Sequence, residues 1–124
     1  MTIKNMDTDA GTTTLNATIT ITAPPPLIYI TPPTNLVVSG DQGGPFTPTV
    51  FTYTIKAQLG TINWSISGVP SWLTPSATSG QATSSGTQVT FTVNANSQAV
   101  GNYPATITFT NSDTGSGTTT RTAN

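Results

Sequence analysis

The residues of this chain that could do chemistry are few, because the sequence contains no His, Cys or Glu. The usual general bases, thiol nucleophiles and zinc ligands are therefore missing, and we predict a protein that is not an enzyme and holds no cofactor. Four carboxylates remain, at Asp7, Asp9, Asp41 and Asp113. Asp7 and Asp9 could help to hold Ca²⁺, which needs several oxygen ligands. Asp also favours turns by bonding its own backbone, and we prefer that interpretation and predict no metal site.

Two other features could bind small ligands. The run Gly40-Asp41-Gln42-Gly43-Gly44 has the glycine content of a phosphate loop but lacks the following Lys-Ser/Thr, so we interpret it as a plain loop. Trp72 lies in a stretch without strand alternation, and together with Tyr29 it could stack on a sugar ring. A Pro-x-Trp-Leu loop more often closes the end of a β-sandwich, and we favour that role for Trp72.

Charge is nearly absent, with three Lys and Arg residues against four Asp and a net charge of −1. No basic patch is present, so nucleic acid is not an expected partner. No apolar run approaches the length of a membrane-spanning helix, and we expect no membrane insertion. The chain starts without the apolar core of a secretion signal. Abundant Thr with few charges resembles surface-exposed bacterial or phage structural proteins, so we expect an extracellular, cell-surface or virion location.

The N-terminal part predicts a β-hairpin or arm over residues 1–22. Polar and apolar residues alternate over residues 12–22, which predicts a half-buried strand. A turn over residues 7–11 precedes this strand. The next residues, 23–26, include three prolines and predict a stiff linker. One face of the predicted strand would carry its apolar side chains: Leu15, Ala17, Ile19 and Ile21.

Residues 27–124 predict one all-β domain. About seven short strands separated by turns indicate an antiparallel β-sandwich of immunoglobulin type. The first strand is broken by Pro32-Pro33, and residues 68–87 are predicted to be irregular. The predicted strands are 27–31 with 35–39, 50–57, 62–67, 88–95, 103–109 and a last strand that begins near 118.

Four residues are candidates for the core of that sandwich. Trp64 stands in the middle of a predicted strand, where such sandwiches often bury a Trp. Tyr103 follows Gly101-Asn102 at the place of a tyrosine corner, and Ile107 and Phe109 alternate after it. We predict core packing for these aromatic residues in preference to sugar binding.

Several motifs resemble the BACON-like family of bacterial and phage immunoglobulin-like modules. They are Asn63-Trp64-Ser65-Ile66-Ser67, Val69-Pro70-Ser71-Trp72-Leu73-Thr74-Pro75, Ser79-Gly80, Val89-Thr90-Phe91-Thr92-Val93 and 101–109, from Gly101-Asn102-Tyr103 to Phe109. The resemblance covers roughly residues 35–124. It implies a non-catalytic sandwich that occurs in tandem on secreted enzymes, surface proteins and phage particles, with carbohydrate binding proposed for some members. It implies no particular binding residues.

One stretch of the chain occurs twice. Residues 2–18 align without gaps with residues 108–124, and nine of the 17 positions are identical. The first copy continues with Ile19-Thr20-Ile21-Thr22, for which the second copy has no counterpart before the sequence ends at Asn124. We therefore expect a module of an extracellular or virion fibre.

The repeat has two mechanical interpretations. The N-terminal strand of one copy could complete the sandwich of a neighbour by strand addition, since the short proline linker makes filling of its own chain's groove strained. The chain could equally be one stretch of a longer tandem polypeptide. There are two alternative functions. One is a carbohydrate-binding module, and the other is a phage capsid decoration protein whose residues 1–26 form an arm that grips the virion shell.

Overall fold

The computed structural model describes residues 1–3, 6, 10, 11 and 13–124. Within these residues the chain is all-β and contains no helix, so the predicted all-β class is confirmed. In the described part there are twelve strands. They are β1 (Thr2–Ile3), β2 (Thr13–Thr14), β3 (Ile28–Thr31), β4 (Ser39–Gly40), β5 (Phe46–Thr47), β6 (Val50–Ala57), β7 (Ile62–Ser67), β8 (Leu73–Pro75), β9 (Ser79–Ala82), β10 (Thr87–Val93), β11 (Ala105–Asn111) and β12 (Thr119–Ala123).

Two four-stranded antiparallel sheets make up most of the fold. One has the strand order β3-β6-β10-β8, and the other has the order β12-β11-β7-β9. These sheets contain eight strands among the described residues, where the sequence predicted about seven. Two short antiparallel pairs, β1 with β2 and β4 with β5, complete the described strands.

The core lies between the two sheets, because each strand turns its alternate side chains inward. Tyr53 and Phe91 come from one sheet and Phe109 from the other, and all three are fully buried. The Tyr53 ring meets the other two edge-on, with centroid distances of 5.9 Å to Phe91 and 5.4 Å to Phe109. Trp64 and Ile107 are buried in the same core, as the alternation predicted.

The break in the first strand at Pro32-Pro33 is a change of sheet. Before it, β3 pairs with β6; after it, Leu36 forms a parallel bridge with Ala123 of β12, in the other sheet. Hydrogen bonds from Arg121 and Tyr53 help to hold the crossing. The Arg121 guanidinium donates to the Ile30 carbonyl at 2.9 Å, and the Tyr53 hydroxyl donates to the Thr34 carbonyl at 2.9 Å.

The prediction that residues 68–87 are irregular is wrong, because β8 and β9 lie within them. Neither strand has a clear polar–apolar alternation in its sequence. Their conformation follows from pairing with longer strands, β8 with β10 and β9 with β7. Gly80 lies opposite Trp64, and a Cβ at Gly80 would come within 2.9 Å of the indole ring. The glycine therefore lets β9 lie flat beneath the buried Trp64 side chain.

Two further predictions need correction. Of residues 13–22, only Thr13 and Thr14 form a strand, because no other described strand lies beside the rest. Tyr103 is not a core residue: it is 37% exposed and precedes β11. Its hydroxyl does donate to the Ala99 carbonyl four residues upstream, at 3.0 Å, as a tyrosine corner requires.

Tyr53 should make the stability of the fold sensitive to alkaline pH. Burial raises the pKa of the Tyr53 hydroxyl, and the nearby Arg121 charge offsets part of that rise. In the unfolded chain this hydroxyl titrates near its ordinary value of about 10. Above that pH the unfolded state loses the proton first, so we expect the free energy of unfolding to fall as pH rises through about 10 and beyond.

Urea denaturation between neutral pH and pH 11 measures this effect, with Tyr53→Phe as the matched variant. At neutral pH the variant should lose about 1 kcal/mol with its hydrogen bond to Thr34. Its stability should fall less steeply with alkaline pH than that of the parent chain. Equal alkaline slopes for the two proteins would contradict the prediction.

Candidate functional site

The N-terminal hairpin repeats the register of the last hairpin of the sandwich. Thr2 lies opposite Thr14 in the pair β1–β2, and their sequence counterparts Thr108 and Thr120 lie opposite each other in β11–β12. The backbone N–H of Leu15 also donates to the Met1 carbonyl at 2.9 Å, which extends the first pairing by one position. The sequence repeat is therefore also a repeat of local structure.

The turns of the two hairpins contain the Asp residues that could bind a metal ion, and the second turn is the better described of the two. Asp7 and Asp9, with the possible Ca²⁺ contact, lie outside the described residues, whereas Ala10 and Gly11 of the predicted turn 7–11 are in a turn. In the second copy, the Asp113 carboxylate accepts hydrogen bonds from the backbone N–H of Asn63 at 2.7 Å and from its side-chain amide at 2.8 Å. These bonds lower the pKa of Asp113. Among the described residues, no group of three potential metal-binding side chains lies together.

Residues 15–22, which we call the apolar segment, follow the first hairpin and are exposed to solvent. Leu15 is 48% exposed, Ile19 is 84% exposed and Ile21 is 86% exposed. Ala17 is exposed as well. The predicted contact strand is therefore present as an exposed, alternating apolar sequence, and the half-burial predicted for it does not occur within its own chain.

A pocket of about 390 Å³ opens at the end of the sandwich where β12 finishes, and we call it the end pocket. Its two walls are chain segments 38–42 and 98–103, and Asn124 lies at its rim. Phe46, Trp72 and Ala95 also line it. Trp72 and Ala95 belong to the hydrophobic core, and Phe46 packs against that core, so apolar side chains form the floor.

Trp72 and Tyr29, the two candidates for sugar contact, do not form a common site. Trp72 is only 6% exposed and closes the end of the sandwich, the role that the sequence favoured. Tyr29 is half exposed on β3, at one edge of its sheet, whereas Trp72 immediately precedes β8 at the opposite edge. A single sugar ring could not stack on both.

Sequence reasoning did not identify most residues of the end pocket. Val38, Phe46 and Val100 stand in short or irregular segments, where no alternation marks them as part of a site. The core position predicted for Tyr103 is wrong, because this residue stands in the pocket wall. The available signal was a set of apolar residues within Gly-rich and Asn-rich stretches, which also occurs in ordinary turns.

No protein-family model matches this chain, and no curated protein sequence matches it either. Among the described residues, none forms a helix with the length and apolar character needed to cross a bilayer. The candidate functional site therefore has two parts that the structure itself defines. They are the exposed apolar segment and the end pocket with its apolar floor.

Replacing Trp72 tests whether this side chain is part of the fold. Trp72→Ala should lower the free energy of unfolding by about 3 kcal/mol, because it removes a large buried side chain from the floor of the pocket. Tyr29→Ala is the control at a half-exposed aromatic and should change stability by less than about 0.5 kcal/mol. Urea denaturation followed by tryptophan fluorescence compares the two; a Trp72 variant as stable as the parent would contradict the assignment.

Proposed function

We propose that this chain is a non-enzymatic structural module of an extracellular or virion fibre, linked to its neighbours through the apolar segment. The observation that carries the proposal is the exposure of Ile19 and Ile21, which have the alternation of a buried strand but lie more than four-fifths in solvent. Exposed apolar side chains in a regular pattern are typical of an interaction site. The module could be a separate subunit or one repeat of a tandem array.

The energetic case for an interaction is simple. Burial of an Ile side chain contributes about 1.5–3 kcal/mol, so Ile19 and Ile21 together offer a driving force of several kcal/mol once a partner covers them. Pairing with an open sheet edge would add backbone hydrogen bonds. Leu15 and Ala17 continue the same exposed face towards the first hairpin.

We also propose an immunoglobulin-like topology and a place in the BACON-like group for the sandwich. The strand order β3-β6-β10-β8 against β7, β11 and β12 matches the ABED and CFG sheets of immunoglobulin-type sandwiches. The buried Trp64 and the hydrogen bond of the Tyr103 hydroxyl support this assignment. The division into an arm over residues 1–22, a linker over 23–26 and a domain over 27–124 stays a prediction.

Carbohydrate binding is the second candidate function. The end pocket favours it, because the Tyr103 ring stands there beside hydrogen-bonding groups of Asp41 and Asn102. A capsid decoration protein would use the same apolar segment against a different partner, the virion shell. These alternatives predict binding to glycans or to shell protein, and neither requires contact between copies of this chain.

The double variant Ile19→Ser/Ile21→Ser tests the proposed function. We expect it to remain monomeric where the parent chain forms filaments or oligomers, and to unfold at the same urea concentration within error, because both side chains are exposed in the single copy. Light scattering after size-exclusion chromatography, with negative-stain microscopy, measures the assembly.

The matched control is Thr20→Ser/Thr22→Ser, which alters the intervening positions of the same segment and should assemble as the parent does. Assembly that survives the isoleucine substitutions would rule out the apolar segment as the link. A parent chain that stays monomeric and binds a glycan array through the end pocket would favour the carbohydrate alternative.

A further inference from the structure

We infer that the end pocket is the acceptor for residues 19–22 of a second copy, which continue the line of β12 with Ile19 and Ile21 turned inward. This inference rests on the proposed function and identifies the partner surface of the apolar segment. It follows from the register of β12 with its two neighbours, from the direction of its side chains, and from the distance that the linker can cover.

The register places the end pocket on the extension of β12. Ala105 lies opposite Ala123, so a strand that continued beyond Asn124 would run opposite Tyr103 and then, in order, residues 102, 101 and 100. On its other side Leu36 pairs in parallel with Ala123, so the same continuation would run beside residues 38–41. All of these residues line the pocket.

The backbone at this point already has the geometry of a ladder. The Leu36 N–H donates to the Thr122 carbonyl at 3.0 Å, and the Asn124 N–H donates to the Leu36 carbonyl at 3.1 Å. The Val38 N–H then donates to the Asn124 carbonyl at 2.7 Å. A further extended segment could therefore continue the same parallel pairing along residues 38–41.

The repeat assigns the side chains of that segment. Ala17 is the counterpart of Ala123, which is fully buried, so the face that carries Ala17, Ile19 and Ile21 corresponds to the inward face of β12. Side chains alternate along a strand, so Ile19 and Ile21 would occupy the first two inward positions beyond Ala123. Ile19 would then lie between Val38 and Tyr103, and Ile21 between Gly40 and Gly101. The Phe46 ring lies against Gly40 and the Tyr103 ring against Gly101, so Ile21 would pack on these two rings.

Residues 19–22 cannot reach the end pocket of their own chain. The Ile28 N–H donates to the Ser116 carbonyl at 3.2 Å, so residue 28 lies near the start of β12, whereas the pocket lies beyond its end. From Thr119 to the fourth position beyond Asn124 is roughly 30 Å of strand. Six peptide units join Thr22 to Ile28 and reach about 22 Å at most. The segment must therefore come from another copy.

A contact of this kind is head-to-tail, because the donor and acceptor surfaces are different parts of the molecule. Each copy that receives a segment still offers its own, so the contact repeats without closing and builds an open filament unless the rotation happens to form a ring. The interface is nearly free of charge: in the pocket walls and residues 19–22, Asp41 is the one side chain that is charged at neutral pH. Assembly should therefore respond weakly to salt.

Disulfide trapping between two variants of the 124-residue chain tests the register directly, and the absence of Cys from its sequence gives a clean background. Ile21→Cys is mixed with Gly101→Cys under mild oxidation, because these two positions should lie opposite each other. Thr20→Cys mixed with Gly101→Cys is the matched control, since residue 20 would point to the other face. We expect about tenfold more mixed disulfide from the first mixture, because bond formation requires close and properly directed Cβ atoms. Peptide mass spectrometry identifies the bond.

Assembly of the Gly101→Trp variant of the 124-residue chain, in which the indole would fill the pocket, gives a second readout. We expect it to fold, as judged by its urea midpoint, and to stay monomeric. Equal trapping in both mixtures, or filaments from Gly101→Trp, would overturn the pocket as acceptor. If Ile19→Ser/Ile21→Ser nevertheless abolished assembly, the proposed function would stand and the acceptor would lie elsewhere. If that double variant assembled normally, both proposals would fall.

Discussion

The change of sheet by the first strand is the constraint on which the rest of this structure depends. Pro32 and Pro33 lack N–H donors and cannot continue the pairing of β3 with β6. The chain therefore crosses from the edge of one sheet to the edge of the other and continues beside β12. Arg121 and Tyr53 donate hydrogen bonds to its backbone carbonyl groups there. This crossing ties the two sheets together along an edge that would otherwise be open.

The end pocket is a consequence of that crossing. Because the chain runs parallel to β12 after Leu36, it extends beyond Asn124 as one wall of a slot, and the residues before β11 form the other wall. The core supplies the floor, since Trp72 closes the sandwich at this end. A fold in which the first strand stayed in one sheet would lack this wall of the pocket. The crossing that joins the two sheets therefore also forms the proposed binding site.

The two copies of the repeated sequence differ in the burial of their apolar side chains, because their structural neighbours differ. The hairpin of β11 and β12 has β7 beside it and the core beneath it, so Ile107, Phe109 and Ala123 are buried. The N-terminal hairpin has the same register but no described sheet neighbour, and its apolar face is exposed. The two copies also differ at one aligned position, which is Leu15 in the first copy and Arg121 in the second. The second copy uses its cation to hold the crossing, whereas the first keeps an apolar side chain at the same position.

The sequence alone determined the long central strands and the repeat. Val50–Ala57 and Ile62–Ser67 were predicted with their observed bounds, because a strict alternation of side chains has no other common explanation. The repeat also identified the apolar segment, since identity between two copies does not depend on the fold. Only the tertiary structure decided the short strands around Trp72, the exposed position of Tyr103 and the existence of the end pocket. These features arise where distant segments meet, and the order and register of strands that bring such segments together are not encoded in the period of any single one.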